Sequence, residues 1–130
     1  MLKRNITPTK EKLKKLRNLK IKNPKIKKLL KRAIEGWSQP EVKIRNGGFG
    51  CNLEGVERIE AWEAGCCLMG AAILGMKIVN KWNDNYMYIW AVSGFSSNEI
   101  SDTYRIFDYI KPPTTEFEKE IASIRDIVFA

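Results

Sequence analysis

The stretch Asn23-Pro24-Lys25-Ile26-Lys27-Lys28-Leu29-Leu30-Lys31-Arg32-Ala33-Ile34-Glu35-Gly36-Trp37 decides how this chain reads. Asn23 offers a helix cap, and Pro24 suits the first helical position, where its missing N–H has no partner to lose. Ile26, Leu29, Leu30, Ala33, Ile34 and Trp37 then recur at three- and four-residue steps, so the spacing predicts a helix through Gly36 with one core-facing stripe. Lys25, Lys27, Lys28, Lys31 and Arg32 fall opposite that stripe. A single helix can therefore join a core and present positive charge outward.

The same basic character continues upstream. Residues 1–32 hold fourteen Lys or Arg and one acid, Glu11, for a net of +13, whereas residues 33–130 hold nine bases and fourteen acids, for a net of −5. A basic end on an acidic body is the footprint of a protein that touches a polyanion. Thr7-Pro8 can open a first helix through about Lys20, in which Leu13, Leu16 and Leu19 fall three apart beside six basic side chains. At roughly 12 residues, with like charges repelling, such a helix is marginal alone and is expected to order only against the acidic body or a polyanion. Residues 1–22 are accordingly read as a basic N-terminal arm and 23–130 as a helical domain.

Downstream, Pro40, Asn46-Gly47-Gly48 and Gly50 mark a loop over Ser38 to Asn52, and the Asn-Gly step allows a short hairpin. A third helix is expected from about Leu53, with Val56, Ile59 and Trp62 on one side and Glu54, Glu57, Glu60 and Glu63 on another. Cys66 to Leu74 is apolar all round, as in a buried helix, and Gly70, Ala71 and Ala72 would let a neighbouring backbone come close. Lys77 to Val92 has strand composition with little alternation and is read as loop with short strand or helix. Ser96…Glu99 and Thr115…Glu118 have capping-box spacing ahead of apolar-periodic runs and predict two closing helices, separated by Lys111-Pro112-Pro113. The fold class expected is mainly α: a small single-domain helical bundle of about five helices with a central glycine-containing loop and the basic arm.

Several function classes drop out on composition. The chain has no histidine, which removes Ser-His-Asp and Cys-His nucleophile systems and His-containing zinc sites. Three cysteines, two of them adjacent (Cys66 and Cys67), make a poor disulfide set and suit a reduced, intracellular setting. The longest uncharged stretches, Ala64 to Met76 with three glycines and Asn85 to Asn98, are thirteen and fourteen residues, short of the roughly 20 a spanning helix needs. No apolar run follows the basic N-terminus as it would in a secretory signal.

The strongest chemical candidate is the set of arm cations: Lys3, Arg4, Lys10, Lys12, Lys14, Lys15, Arg17, Lys20, Lys22, Lys25, Lys27, Lys28, Lys31 and Arg32. Their flexible charged groups would neutralise phosphates and release counterions, giving sequence-blind, salt-sensitive binding. Lysines outnumber arginines eleven to three in this set, so bidentate reading of guanine edges is not indicated. The glutamates at 54, 57, 60 and 63 could offer oxygen to a divalent cation, but with no matching second carboxylate helix an ordinary solvated face is the simpler reading, and neither metal nor cofactor is expected. Those acids could instead dock the basic arm as an autoinhibitory contact. Cys67 near a helix start could be an activated thiol, yet Leu68, Met69, Ala71 and Ala72 around it indicate an inert core residue. A small ligand pocket could form from Trp37, Gln39, Trp62, Trp82, Asn83 and Asp84, although Trp-Asn-Asp-Asn is also common turn and cap composition.

Taken in order, Gly36-Trp37-Ser38-Gln39, a glycine-containing loop, Ala61-Trp62-Glu63-Ala64-Gly65-Cys66-Cys67-Leu68-Met69-Gly70-Ala71, Trp82-Asn83-Asp84, and Glu99 ahead of Ile106-Phe107-Asp108 resemble an uncharacterised family of small bacterial and phage proteins. The resemblance covers about Ile26 to Ile110. It implies a small helical domain in a bacterial, phage or larger viral setting and carries no catalytic residue across. Three readings follow. The first is a non-enzymatic nucleic-acid-associated protein, a phage or viral accessory or virion component, in the cytoplasm or inside a host cell. The second is a protein-interaction or assembly module, homo-oligomeric or within a larger assembly, whose arm meets an acidic protein surface. The third is a small ligand-binding or enzymatic domain around the tryptophans.

Overall fold

The computed structural model describes residues 5–40, 42–45, 67–80 and 94–130. Five helices and one short strand pair organise them: β1 (Asn5–Ile6), α1 (Lys10–Asn18), α2 (Pro24–Trp37), β2 (Ile44–Arg45), α3 (Leu68–Asn80), α4 (Ser97–Phe107) and α5 (Glu116–Val128). The protein is mainly α, a small helical domain as composition and periodicity predict.

Local chemistry starts four of the five helices. Thr9 caps α1, its hydroxyl accepting from the Lys12 N–H at 3.1 Å. Asn23 caps α2 with one side-chain oxygen, which accepts from the N–H groups of Lys25 and Ile26 at 2.9 and 3.3 Å. Ser96 and Thr115 form reciprocal capping boxes with Glu99 and Glu118. Each device satisfies N–H groups that a helix start otherwise leaves orphaned.

The α2 stripe is buried along its whole length, from Ile26 to Trp37, and its largest interface is with α3. Two glycines set that interface. A Cβ on Gly36 would lie 2.1 Å from the Ala71 carbonyl oxygen, and one on Gly75 would lie 1.9 Å from the Arg32 carbonyl oxygen. Residue 36 meets 71 and residue 32 meets 75, so α2 and α3 run antiparallel with backbone touching backbone. On the other side, Trp37 stacks on Phe107 (centroids 6.3 Å apart), and Phe107 meets Phe129 at 5.3 Å. These offset and tilted ring pairs add to the area that the rings bury.

The N-terminal segment shares this core. Leu13, Leu16 and Ile21 belong to the same buried cluster as the α2, α4 and α5 residues, so the core crosses the 22/23 position at which arm and domain divide in the sequence. Lys12 Nζ donates to the carbonyl oxygens of Val128 and Ala130 at 2.8 and 3.2 Å. Glu120 on α5 accepts from the backbone N–H groups of Lys22 and Asn23 at 2.6 and 3.0 Å. The marginal first helix thus orders against the body, by leucine burial and by polar ties at both ends.

Some boundaries differ from expectation. α1 ends at Asn18, and α3 runs on through Lys77 to Asn80, the start of the stretch read as loop with short strand or helix. Ile44–Arg45 pairs antiparallel with Asn5–Ile6. The Asn46-Gly47 step, the helix expected from Leu53 and residues 81–92 lie outside the described residues.

The α4–α5 junction buries charge. The Glu118 side chain is 1% exposed and pairs with Lys111. Its other oxygen accepts from the Thr114 N–H, the Thr114 hydroxyl and the Thr115 N–H at 3.0, 2.8 and 3.1 Å. The Lys111 contact foremost, then these donors, hold its carboxyl far below the usual carboxylate range. Such a group contributes stability that is fully present above the unfolded carboxylate value near 4.5 and is lost as pH falls through the depressed folded value. Glu118→Gln is therefore expected to lower the melting temperature at pH 7 and to flatten its fall on acidification. Thermal melts across acidic pH check this, and curves parallel to the native protein would contradict it.

Candidate nucleic-acid interface

On α1 and α2 most of the exposed residues are cations. Leu13 and Leu16 turn inward on α1, which leaves Lys10, Glu11, Lys14, Lys15, Arg17 and Asn18 exposed; on α2 the exposed set is Pro24, Lys27, Lys28, Lys31 and Glu35. The one acid of α1, Glu11, is already matched by Lys15 at 3.5 Å.

Between the two helices lies an open groove of about 470 Å³. Leu16, Leu19, Ile21, Leu30 and Ile34 make its apolar walls, and Arg17, Lys27, Lys28, Lys31 and Arg32 stand around it. Arg17 Nη2 reaches Ser38 Oγ at 3.4 Å, which steadies that side chain on the α1 wall. Burial first, and the Arg32 charge second, push the Lys28 ammonium below its ordinary value. Lys27 with Lys31, and Lys28 with Arg32, are like charges at the i,i+4 spacing, each pair costing about 0.2–0.5 kcal/mol in an isolated helix. The side chains of Lys14, Lys27 and Lys31 enter no ion pair or hydrogen bond among the described residues.

The predicted cations divide by role. Lys12 is tied to the end of α5, as above. Lys25 is held by Glu99 at 2.7 and 2.9 Å and by the Gly94 carbonyl at 3.0 Å, and its ammonium lies 5.7 Å from the Phe95 ring centre. That pairing, chiefly, draws the Glu99 carboxyl below its usual value. Lys10, Lys20 and Lys22 are exposed at the ends of α1 and in the connector. Lys3 and Arg4 lie outside the described residues.

Trp37 and Gln39 come together at a second cavity of about 280 Å³, shared with Thr7, Pro8, Lys10, Val42 and Lys43. The Trp37 ring is itself committed to the core against Phe107. The Gln39 amide donates to the Glu35 carbonyl at 3.3 Å. Trp62, Trp82, Asn83 and Asp84 lie outside the described residues, as do the glutamates at 54, 57, 60 and 63. Lys43 was missed by motif reading, although Val42-Lys43-Ile44 alternates buried, exposed, buried and so carries a strand signal.

Cys67 is buried, and that burial pushes its thiol up to about 11. At pH 8 a thiol two units above its ordinary value carries about 100-fold less thiolate. With Cys51 and Cys66 replaced by alanine, Cys67 is expected to resist alkylation in native buffer and to react promptly in denaturant. Rapid native labelling would contradict this.

Among the described residues no group of three or more acids or cysteines could hold a metal ion, and no helix is long and apolar enough to cross a membrane. No family model, curated protein or solved structure matches this chain.

Proposed function

We propose that this chain is a non-enzymatic, sequence-nonspecific nucleic-acid-associated protein of intracellular setting, such as a phage or viral accessory or virion component, which contacts phosphates through the α1–α2 face. The observation that supports it is the concentration of exposed cations around one groove at like-charge helical spacing, with Lys27 and Lys31 there, and Lys14 on α1, left without internal partners among the described residues. A protein keeps such an arrangement at a cost to its own stability, and a polyanion relieves the repulsion. Lysine-rich contacts neutralise phosphates as point charges and read no bases.

An acidic protein surface is the competing partner, because it would meet the same charges. Anisotropy titrations of the whole chain with duplex DNA and single-stranded RNA separate the two. The reading expects binding to both, with affinity falling steeply and linearly in log salt. No binding to either near 0.1 M salt, where the Debye length is about 10 Å, would overturn it in favour of protein assembly.

A further inference from the structure

The groove between α1 and α2 is more than a phosphate site needs, since phosphate oxygens can be neutralised on an open surface. We propose that it receives one unstacked nucleobase, so that the protein prefers single-stranded nucleic acid to duplex. This inference rests on the nucleic-acid reading above and names the form of polymer that the same site takes.

The volume of about 470 Å³ lies in the 300–1,000 Å³ range of small-ligand sites. Its walls are aliphatic, which suits the faces of a base and gives a phosphate nothing. Cations stand on both sides, Arg17 from α1 and Lys27, Lys28 and Lys31 from α2, so the phosphates before and after the inserted nucleotide each meet positive charge. Arg17 and Arg32, on opposite helices, also offer planar guanidinium faces of the kind on which splayed bases stack. A duplex keeps its bases inside the stack, and extruding one costs a few kcal/mol. An acidic amphipathic helix would need a longer apolar track than this single cavity provides.

The test compares three labelled strands of about 12 nucleotides with the native chain at about 0.1 M salt: a single strand, its duplex, and an abasic single strand with the same phosphate count. The inference expects the ordinary single strand to bind about tenfold or more tighter than the abasic one, within the 5- to 150-fold range for one stacked base, and tighter than the duplex despite the duplex's higher charge density. Leu19→Trp, which fills the groove from its half-buried wall, is expected to remove that gap and to leave abasic binding unchanged. Equal, salt-sensitive binding of all three strands would leave the phosphate reading standing and overturn the base pocket. Absence of binding to every strand would overturn both. Binding only of a glutamate- and leucine-rich peptide, weakened by Leu19→Trp, would place a protein partner in the groove and overturn the inference.

Discussion

A chain carrying Lys14→Gln, Lys27→Gln and Lys31→Gln is expected to lose on the order of 100-fold in nucleic-acid affinity at 0.1 M salt while keeping its fold. Each phosphate neutralised on duplex DNA contributes about 0.9 to the slope of log affinity against log salt. Removing three such contacts therefore lowers the slope by about 2.7, and shrinks the affinity ratio between 50 and 200 mM salt by about 40-fold. The loss should be similar for unrelated sequences, because positioning contacts carry no sequence information. All three side chains are exposed and make no internal ion pair among the described residues, so the melting temperature should hold or rise as like-charge repulsion falls. Substitution is the right tool here. Deleting residues 1–22 would also remove Leu13, Leu16 and Ile21 from the core. Anisotropy titrations with the triple variant check the slope, and an unchanged slope would move phosphate contact away from this face.

Gly75→Ala is expected to lower the melting temperature by about 10 °C. In an open helix the substitution would help by about 1 kcal/mol, because alanine is the better helix former. Here the new Cβ would sit 1.9 Å from the Arg32 carbonyl oxygen and 2.9 Å from its carbon. Backbone cannot rotate aside as a flexible side-chain tip can, so α2 and α3 must separate and the apolar seam between them loosens. Overpacking of this kind costs about 1–3 kcal/mol and more where backbone must move. A net loss of about 2–3 kcal/mol corresponds to roughly 10 °C in a domain of this size. Gly36→Ala, 2.1 Å from the Ala71 carbonyl oxygen, should behave alike. Calorimetry decides the sign, and a stabilised Gly75→Ala protein would mean that the two backbones do not touch at this point.

What the sequence made legible was local. The α2 stripe, the Asn23 cap and the two capping boxes each rest on residues within four positions of one another, and all appear where their spacing puts them. The all-round apolar run after Cys67 marked a buried helix, and its small residues signalled close approach. The partner surfaces, Gly36 and the Arg32 carbonyl, sit on another helix and could not be read from that run. The end of α3 was not legible because Lys77 to Asn80 carries neither period nor cap. Asn5–Ile6 is too short to show a period, so the alternation at Val42-Lys43-Ile44 had no readable partner in the sequence.

The candidate site was legible as charge and illegible as shape. Composition singled out the cations, but their division into core-tied Lys12 and Lys25 and outward Lys14, Lys27 and Lys31 depends on partners about 70 to 118 residues away in the chain. The groove arises because the short connector at residues 19–23 holds two amphipathic helices side by side, a property of packing that no single motif encodes. The tryptophan cluster stays half drawn: Trp37 and Gln39 line one cavity, and Trp37 is spent on the core.

Lysine footprinting tests the central claim most directly. The native chain is acylated briefly at about 0.1 M salt with and without a nucleic-acid oligomer, and modification is read lysine by lysine by mass spectrometry. The account predicts selective protection of Lys27, Lys28 and Lys31 around the groove and of Lys14 on α1, with Lys119, paired with Glu116 on α5, modified equally in both samples. Binding that protects Lys119 and leaves the groove lysines as reactive as before would contradict it.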